Sequence, residues 1–274
     1  TDGYVGVAPG AELLVVKLKQ SKQYLRDFFL IKDDVPAFEE SDIMLALRFL
    51  EDYAIRLGKP LIIIFGLGSA NGSRTGASPL AEMMENLTKK PNISVITCMG
   101  NEANNKCHYK GTVMSALVPD VMEINVDGTG KGFTMEIWAD SLDILSVSIE
   151  SPSGEYVPRI PARMGASMEY TFLYEGSTVT VDYQITENVA GMEVIFVRLK
   201  TPVEGTWKFY IYSLTNIKGS YNAWLPLKQF SGQDIYFLKS DPDTTLTVPA
   251  AADGVISCLL YTSDAADEAR SVDL

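Results

Sequence analysis

The sequence predicts an α/β layer built on a parallel sheet with flanking helices, followed by an antiparallel β-sandwich. Two observations carry this. Up to Cys98, short runs rich in β-branched apolar residues alternate with stretches whose apolar residues recur at helical spacing. After Gly111 the helical spacing stops, and aromatic and β-branched runs of period two follow one another between glycine-containing turns.

The first buried strand is expected over Glu12–Leu18, after the turn Gly6-Val7-Ala8-Pro9-Gly10. Lys19 to Glu40 is polar and irregular and reads as a loop with mobile parts. Ser41 is placed to cap a helix with Asp42 in its first turn, where a carboxylate suits the helix dipole. Ile43, Leu47, Leu50, Ala54 and Leu57 give that helix one core face, and Gly58 and Pro60 end it. Leu61–Phe65 is the second buried strand. The loop Gly66-Leu67-Gly68-Ser69-Ala70-Asn71-Gly72 follows, then a helix from Ser78-Pro79 to about Lys89, with Leu80, Met83, Met84 and Leu87 inward. Ile93–Cys98 is the third strand, expected to be buried on both faces and stopped abruptly by Met99-Gly100-Asn101-Glu102. Right-handed crossovers set such strands parallel, so Gly66, Leu67 and Gly68 come to the same sheet edge as Gly100 and Asn101. Ligands bind at that edge of open α/β sheets. Taken alone, Asn101 after Gly100 is equally an ordinary turn residue, and the glycines an ordinary strand exit.

A dinucleotide-binding turn is the rival for this loop. The spacing Gly66, Gly68, Gly72 misses G-x-G-x-x-G by one, the next helix begins only at Pro79, and the following strand ends without an acidic residue for a ribose. That reading is set aside.

In the second block Phe133, Met135 and Ile137 alternate with Thr134, Glu136 and Trp138, and Trp207, Phe209 and Ile211 with Lys208, Tyr210 and Tyr212. Turns are marked by Asp127-Gly128, Ser153-Gly154, Glu175-Gly176, Ala190-Gly191, Glu204-Gly205 and Lys218-Gly219. The sandwich is expected to run over 112–235, after an α/β segment over 1–111.

Composition bounds the function. The chain has 274 residues, of which 46% are apolar and 21% charged, an ordinary globular balance. A net charge of −12 argues against nucleic acid or an anionic membrane as partner, and no apolar run is long enough to span a membrane. The three cysteines, Cys98, Cys107 and Cys258, have neither metal-site spacing nor a disulfide framework, so no metal or cofactor is called for.

Three segments, in the same order, resemble the subtilisin-like serine proteases. Val95-Ile96-Thr97-Cys98-Met99-Gly100-Asn101-Glu102 resembles the family segment ending in Gly-Asn-Glu, Gly6-Val7-Ala8-Pro9 the segment after the catalytic histidine helix, and Gly66-Leu67-Gly68-Ser69 the Ser-Leu-Gly-Gly stretch that pairs with substrate. Gly66 stands where Ser is usual and Ser69 where the second Gly is usual. A β-sandwich placed after the Gly-Asn-Glu segment resembles the jelly-roll insertion of clostridial germination proteases. Thr244 to Pro249 then resembles the return to the protease sheet over 236–257, with Gly254-Val255-Ile256-Ser257 opening its next strand.

The resemblance implies a parallel subtilisin-like sheet carrying an inserted jelly roll, and a peptide or protein substrate. It implies that Asn101 donates to the oxyanion, with Gly66, Leu67, Gly68 and Gly100 holding the peptide. It also implies an extracellular, cell-envelope or spore-associated setting. The Asp and His of the triad would lie before Thr1 and the nucleophilic Ser after Ser257. His108 is the single histidine and is read as a structural loop residue, and no Gly-x-Ser-x-Gly elbow is present. The segment 258–274 resembles the translation of a sequencing-library adapter and is left out of the fold reasoning. Three readings stay open: a fragment of an endopeptidase, inactive alone; a regulatory pseudoprotease; and a carbohydrate- or protein-binding sandwich presenting Trp138, Tyr210 or Trp224 in an exposed patch.

Overall fold

A computed structural model of the chain describes residues 6–139, 144–163, 165–184, 192–214 and 219–259. The turn at Ala190-Gly191, Lys218 and nearly all of the expected adapter-derived tail lie outside them.

The α/β layer holds helices α1 (Gln23–Phe28), α2 (Glu40–Leu57) and α3 (Pro79–Thr88), and strands β1 (Leu61–Phe65) and β2 (Ile93–Cys98). β2 pairs in parallel with β1, Ile63 opposite Val95 and Phe65 opposite Thr97. Its other edge takes the last strand of the chain, Ile256–Cys258, also in parallel and with Ser257 opposite Thr97. Cys258, expected to open the non-native tail, therefore lies within the sheet. α3 begins as its sequence dictates: Ser78 Oγ accepts the Ala81 amide at 3.2 Å and Pro79 fills the first turn. α2 ends on Gly58 at φ 61°. It starts at Glu40 rather than behind a Ser41 cap, because Glu40 accepts the Leu80 amide at 2.9 Å and Glu39 the Lys22 amide at 3.1 Å.

Both longer helices lie on one face of this sheet. Ile43, Leu47, Leu80, Met84 and Leu87 pack there against Ile63 and Val95. The opposite face is bare: Ile62 and Ile64 are 66% and 76% exposed, and Ile256 stands beside Ile96 on the same side. Burial of β2 on both faces is thus corrected to burial on one, and β1, expected as a buried strand, is likewise buried on one face only. The expected strand Glu12–Leu18 is corrected as well. Among the described residues it pairs with no strand, and Leu13 and Val15 are 90% and 84% exposed. Lys19–Glu40 is no mobile loop. It contains α1, and Arg26 gathers the following turn by donating to the carbonyls of Lys32, Asp33 and Val35 at 2.6, 2.9 and 2.9 Å.

Among the described residues eleven strands of a β-sandwich follow: β3 (His108–Val113), β4 (Asp120–Asp127), β5 (Gly132–Ala139), β6 (Leu145–Glu150), β7 (Tyr156–Ile160), β8 (Ser167–Thr171), β9 (Thr178–Gln184), β10 (Val194–Lys200), β11 (Gly205–Ser213), β12 (Gly219–Trp224) and β13 (Asp234–Phe237). The returning strand Ile256–Cys258 is β14. One antiparallel sheet has the order β3-β12-β5-β10-β9-β8 and the other β13-β4-β11-β6-β7. Period two works as read. Phe133, Met135 and Ile137 of β5 face Trp207, Phe209 and Ile211 of β11 in one apolar core, where Phe172 meets Trp207 edge-on at 5.0 Å. The sandwich strands begin at His108 and end at Phe237, a few residues outside the expected 112–235 at both ends.

The two faces of β1 make the layer's asymmetry testable. Ile63→Ala, on the helix side, should cost about 2–5 kcal/mol. Ile64→Ala, on the bare side, should stay within about 0.5 kcal/mol. Urea unfolding of both variants reads the difference.

Candidate functional site

The ladder between β1 and β2 puts their carboxyl ends side by side, and both exits line one cleft of about 1500 Å³. Gly66, Leu67 and Gly68 border it from β1, and Gly100 and Asn101 from β2. The remaining walls come from α1 and its following turn, and from the outer face of the six-stranded sheet, with Thr134, Glu136 and Trp138 on β5 and Phe196 on β10.

Beyond Phe65 the chain carries no regular structure up to the Ser69 bridge, and the backbone of Leu67 and Gly68 makes no hydrogen bond among the described residues. An unpaired backbone is what strand addition by a peptide requires. At the β2 exit the left-handed position is Gly100, φ +80°, whereas Asn101 has φ −132°. Backbone conformation therefore does not call for asparagine at 101. Its side chain does not cap the short 3-10 turn Glu102–Asn105; it is exposed and has no hydrogen-bond partner among the described residues. It is a donor left free at the mouth of a cleft.

The close approach that the glycines permit is made by the chain itself. A Cβ on Gly68 would sit 2.4 Å from Thr247 Oγ1, and one on Gly100 2.6 Å from Thr247 Cγ2. Thr247 is wedged between the two exits, donating from its amide to Met99 O at 2.9 Å and from Oγ1 to Cys98 O at 3.1 Å. Next to it, Val248 and Ser69 exchange two backbone bonds at 2.9 and 3.0 Å. The spacing of glycines marked the loop in the sequence. The residue filling the gap could not be found there, because it arrives from beyond the sandwich.

His108 lies on β3 rather than in a loop and is fully buried. It stacks on Trp224 at 5.0 Å, with Nδ1 3.1 Å from Asp241 O and Nε2 3.0 Å from Asn222 Oδ1. Its structural role stands, and with both nitrogens engaged it does not serve as a base at the cleft. Burial pushes the thiols of Cys98 and Cys107 up, Cys107 to about 11, so neither is an activated nucleophile. Among the described residues no group of three His, Cys, Asp or Glu side chains could hold a metal ion, and no helix is long and apolar enough to cross a membrane.

Sequence reasoning missed the contribution of the sandwich. Gly72 N donates to Glu136 Oε2 at 2.9 Å, and Trp138 Nε1 to the same oxygen at 3.0 Å. Burial raises the Glu136 carboxyl above the usual range, opposed by these two donors and by Arg74. Arg74 lies over the Trp224 ring at 5.0 Å and donates to the carbonyls of Ser69, Ala70 and Leu246; burial brings its guanidinium down to about 10. Trp138 and Trp224 are each 6% exposed, and Tyr210 is half-buried with its hydroxyl donating to Glu150. The exposed patch that a sandwich binding module would present from these residues is not formed, because Trp138 packs with Val194 and Trp224, and Arg74 lies over Trp224.

No family model matches the chain, and no curated protein matches it in sequence. Among solved structures, that of the CspB protease of Clostridium perfringens is similar in fold, with a TM-score of 0.72 and 24% identity over 84% of this chain. The match covers 48% of that protein, so the chain spans about half its length.

The wedge gives a measurable split. Gly100→Ala should destabilise by about 2–5 kcal/mol, roughly 1–2 from forcing a Cβ into the left-handed region and about 1–3 from overpacking against Thr247. Adding Thr247→Ser removes the offending methyl and should recover the packing part but not the backbone part. A double-mutant cycle by chemical denaturation measures both.

Proposed function

We infer that this chain is part of a subtilisin-like serine endopeptidase, the part that binds an extended peptide and supplies one oxyanion donor. The observation that carries this is the pairing at the cleft mouth. An Asn101 amide without a partner among the described residues stands at the exit of β2, and an unpaired backbone, that of Leu67 and Gly68, stands at the exit of the neighbouring parallel strand. The likeness in fold to a clostridial protease supports the reading, and so does the order of the three motif-like segments.

In this mechanism a peptide lies along Gly66, Leu67 and Gly68 as an added strand, its carbonyls and amides completing theirs. That alignment brings the carbonyl to be cleaved toward Asn101, whose amide donates to the oxygen as it gains charge. Such a donor stabilises the tetrahedral state more than the planar one, and that difference lowers the barrier. Attack on the carbonyl and proton transfer fall to a Ser-His-Asp set that the described residues do not provide. The insert belongs to the jelly-roll type in this reading, and the setting is extracellular, cell-envelope or spore-associated.

Two outcomes are expected of the 274-residue chain. A fluorophosphonate probe should leave it unlabelled, and stoichiometric labelling would refute the absence of a working triad. Titration with an extended pentapeptide should shift the amide resonances of Gly66 to Gly68 and the side-chain amide of Asn101. Asn101→Ala should weaken binding only modestly, since the donor acts on developing charge, whereas Gly68→Pro should abolish it, both by removing a backbone donor and by driving a Cβ into Thr247. A peptide that shifts neither set of resonances would sink the reading.

A further inference from the structure

Resting on the peptide-site reading above, we propose that Glu136 of the sandwich is a positioning residue for that site: it fixes the loop whose first residues receive the peptide.

The loop 66–74 leaves β1 and makes long-range hydrogen bonds in one direction only. Ser69 pairs with Val248, Gly72 donates to Glu136, and Arg74 donates to Leu246. Arg74 also closes the loop on itself through Ser69 O and Ala70 O, and lies against Trp224. Each of these long-range partners belongs to the insert or to the chain returning from it. The α/β layer that the loop leaves contributes none of them among the described residues. The loop's shape is therefore set from the sandwich side.

Glu136 is the unusual member of this set. In its strand it alternates with core residues and would ordinarily face water; here it is half-buried in the cleft wall, with its carboxylate accepting from a backbone amide of the loop and from the Trp138 indole. Burying a carboxylate is costly unless donors and an opposite charge attend it, and both donors and Arg74 are present. A glutamine of the same shape keeps one acceptor oxygen but loses the charge that faces Arg74. An alanine leaves the Gly72 amide and the Trp138 indole without an acceptor, so the loop gains freedom at the residue that ends the peptide-receiving stretch. A loop that is competent only part of the time binds with an affinity lowered by that fraction.

The test uses the full 274-residue chain. Amide hydrogen exchange is read at Gly72, and pentapeptide affinity by NMR, for wild type, Glu136→Ala, Glu136→Gln and Val147→Ala. Val147 is buried in the sandwich core away from the loop and controls for loss of stability alone. Glu136→Ala should speed exchange at Gly72 about tenfold, the equivalent of one hydrogen bond, and weaken the peptide by a similar factor. Glu136→Gln should fall between Glu136→Ala and wild type, and Val147→Ala should lower the melting temperature while changing neither readout. The proposal is overturned if Glu136→Ala keeps wild-type Gly72 exchange, or if Val147→Ala reproduces its losses. Should Glu136→Ala not fold, Glu136→Gln decides by the same two readouts. If wild type binds no peptide, the peptide-site reading fails, and exchange at Gly72 still decides whether Glu136 holds the loop.

Discussion

The arrangement depends on how the two ends of the insert are stapled to each other. Phe237 N donates to Lys106 O, Asp241 N to His108 O and Leu225 N to Cys107 O, each at 2.9 Å. The chain thus leaves the α/β layer and re-enters it at one point, and a long excursion is closed by backbone bonds at its neck. Closing a loop grows costlier only slowly with its length. A folded insert with adjacent ends removes even that cost, because its own core holds the ends together. The returning chain can then reach the free edge of β2 as β14, and on the way seat Thr247 between the two strand exits.

This neck turns part of the sandwich surface into an interior. The outer face of the six-stranded sheet lies against the α/β layer, and several of its polar groups are paired there as interior groups are. His108 is bonded at both nitrogens, and Trp224 Nε1 donates to Thr244 O at 3.1 Å. Farther along the same face, Phe28 of α1 stacks on Phe196 of β10 at 5.7 Å, with the Arg198 guanidinium 4.8 Å from the Phe28 ring. The cleft is the gap left between these contacts. Its walls are covalently remote but held to one another on both sides of the strand exits.

What the sequence made legible was whatever depends on near neighbours. Ser78-Pro79 announced α3 because a cap needs an oxygen three residues ahead of an amide. Gly58 ended α2, and alternation in β5 and β11 named the sandwich core. Interpretation failed where a residue's surroundings come from far along the chain. Glu136 and Trp138 followed the water-facing side of an alternating strand, and nothing local marked that Gly72 would donate to the one and Val194 and Trp224 pack with the other. Leu13 to Leu18 has the composition of a buried strand, yet a strand needs a partner on its edge, and the described chain provides none. Gly68 and Gly100 were recognised as places of close approach, while the approaching residue, Thr247, was out of reach of any local pattern. Asn101 is the opposite case: the structure removes the local explanation, since the left-handed turn falls on Gly100, and leaves the side chain without a structural task.

The distribution of chemistry across the cleft is uneven in an informative way. Two kinds of group that could begin a reaction are withheld: burial shifts the thiols of Cys98 and Cys107 toward their neutral form, and the imidazole of His108 is locked inside the interface. The groups that recognise are left open, namely the unpaired backbone past β1 and the free amide past β2. Recognition by backbone and a fixed dipole needs no ionisation, but it does need both strand exits to hold their spacing. That requirement accounts for the weight of contacts converging on them. Thr247 spaces the exits from below, Val248 and Arg74 clamp the loop, and Glu136 holds its far end. A site built for catalysis by positioning needs this rigidity, whereas a surface that binds loosely does not. The contacts of Thr247, Val248, Arg74 and Glu136 thus converge on the two strand exits and fix their spacing from the side of the insert.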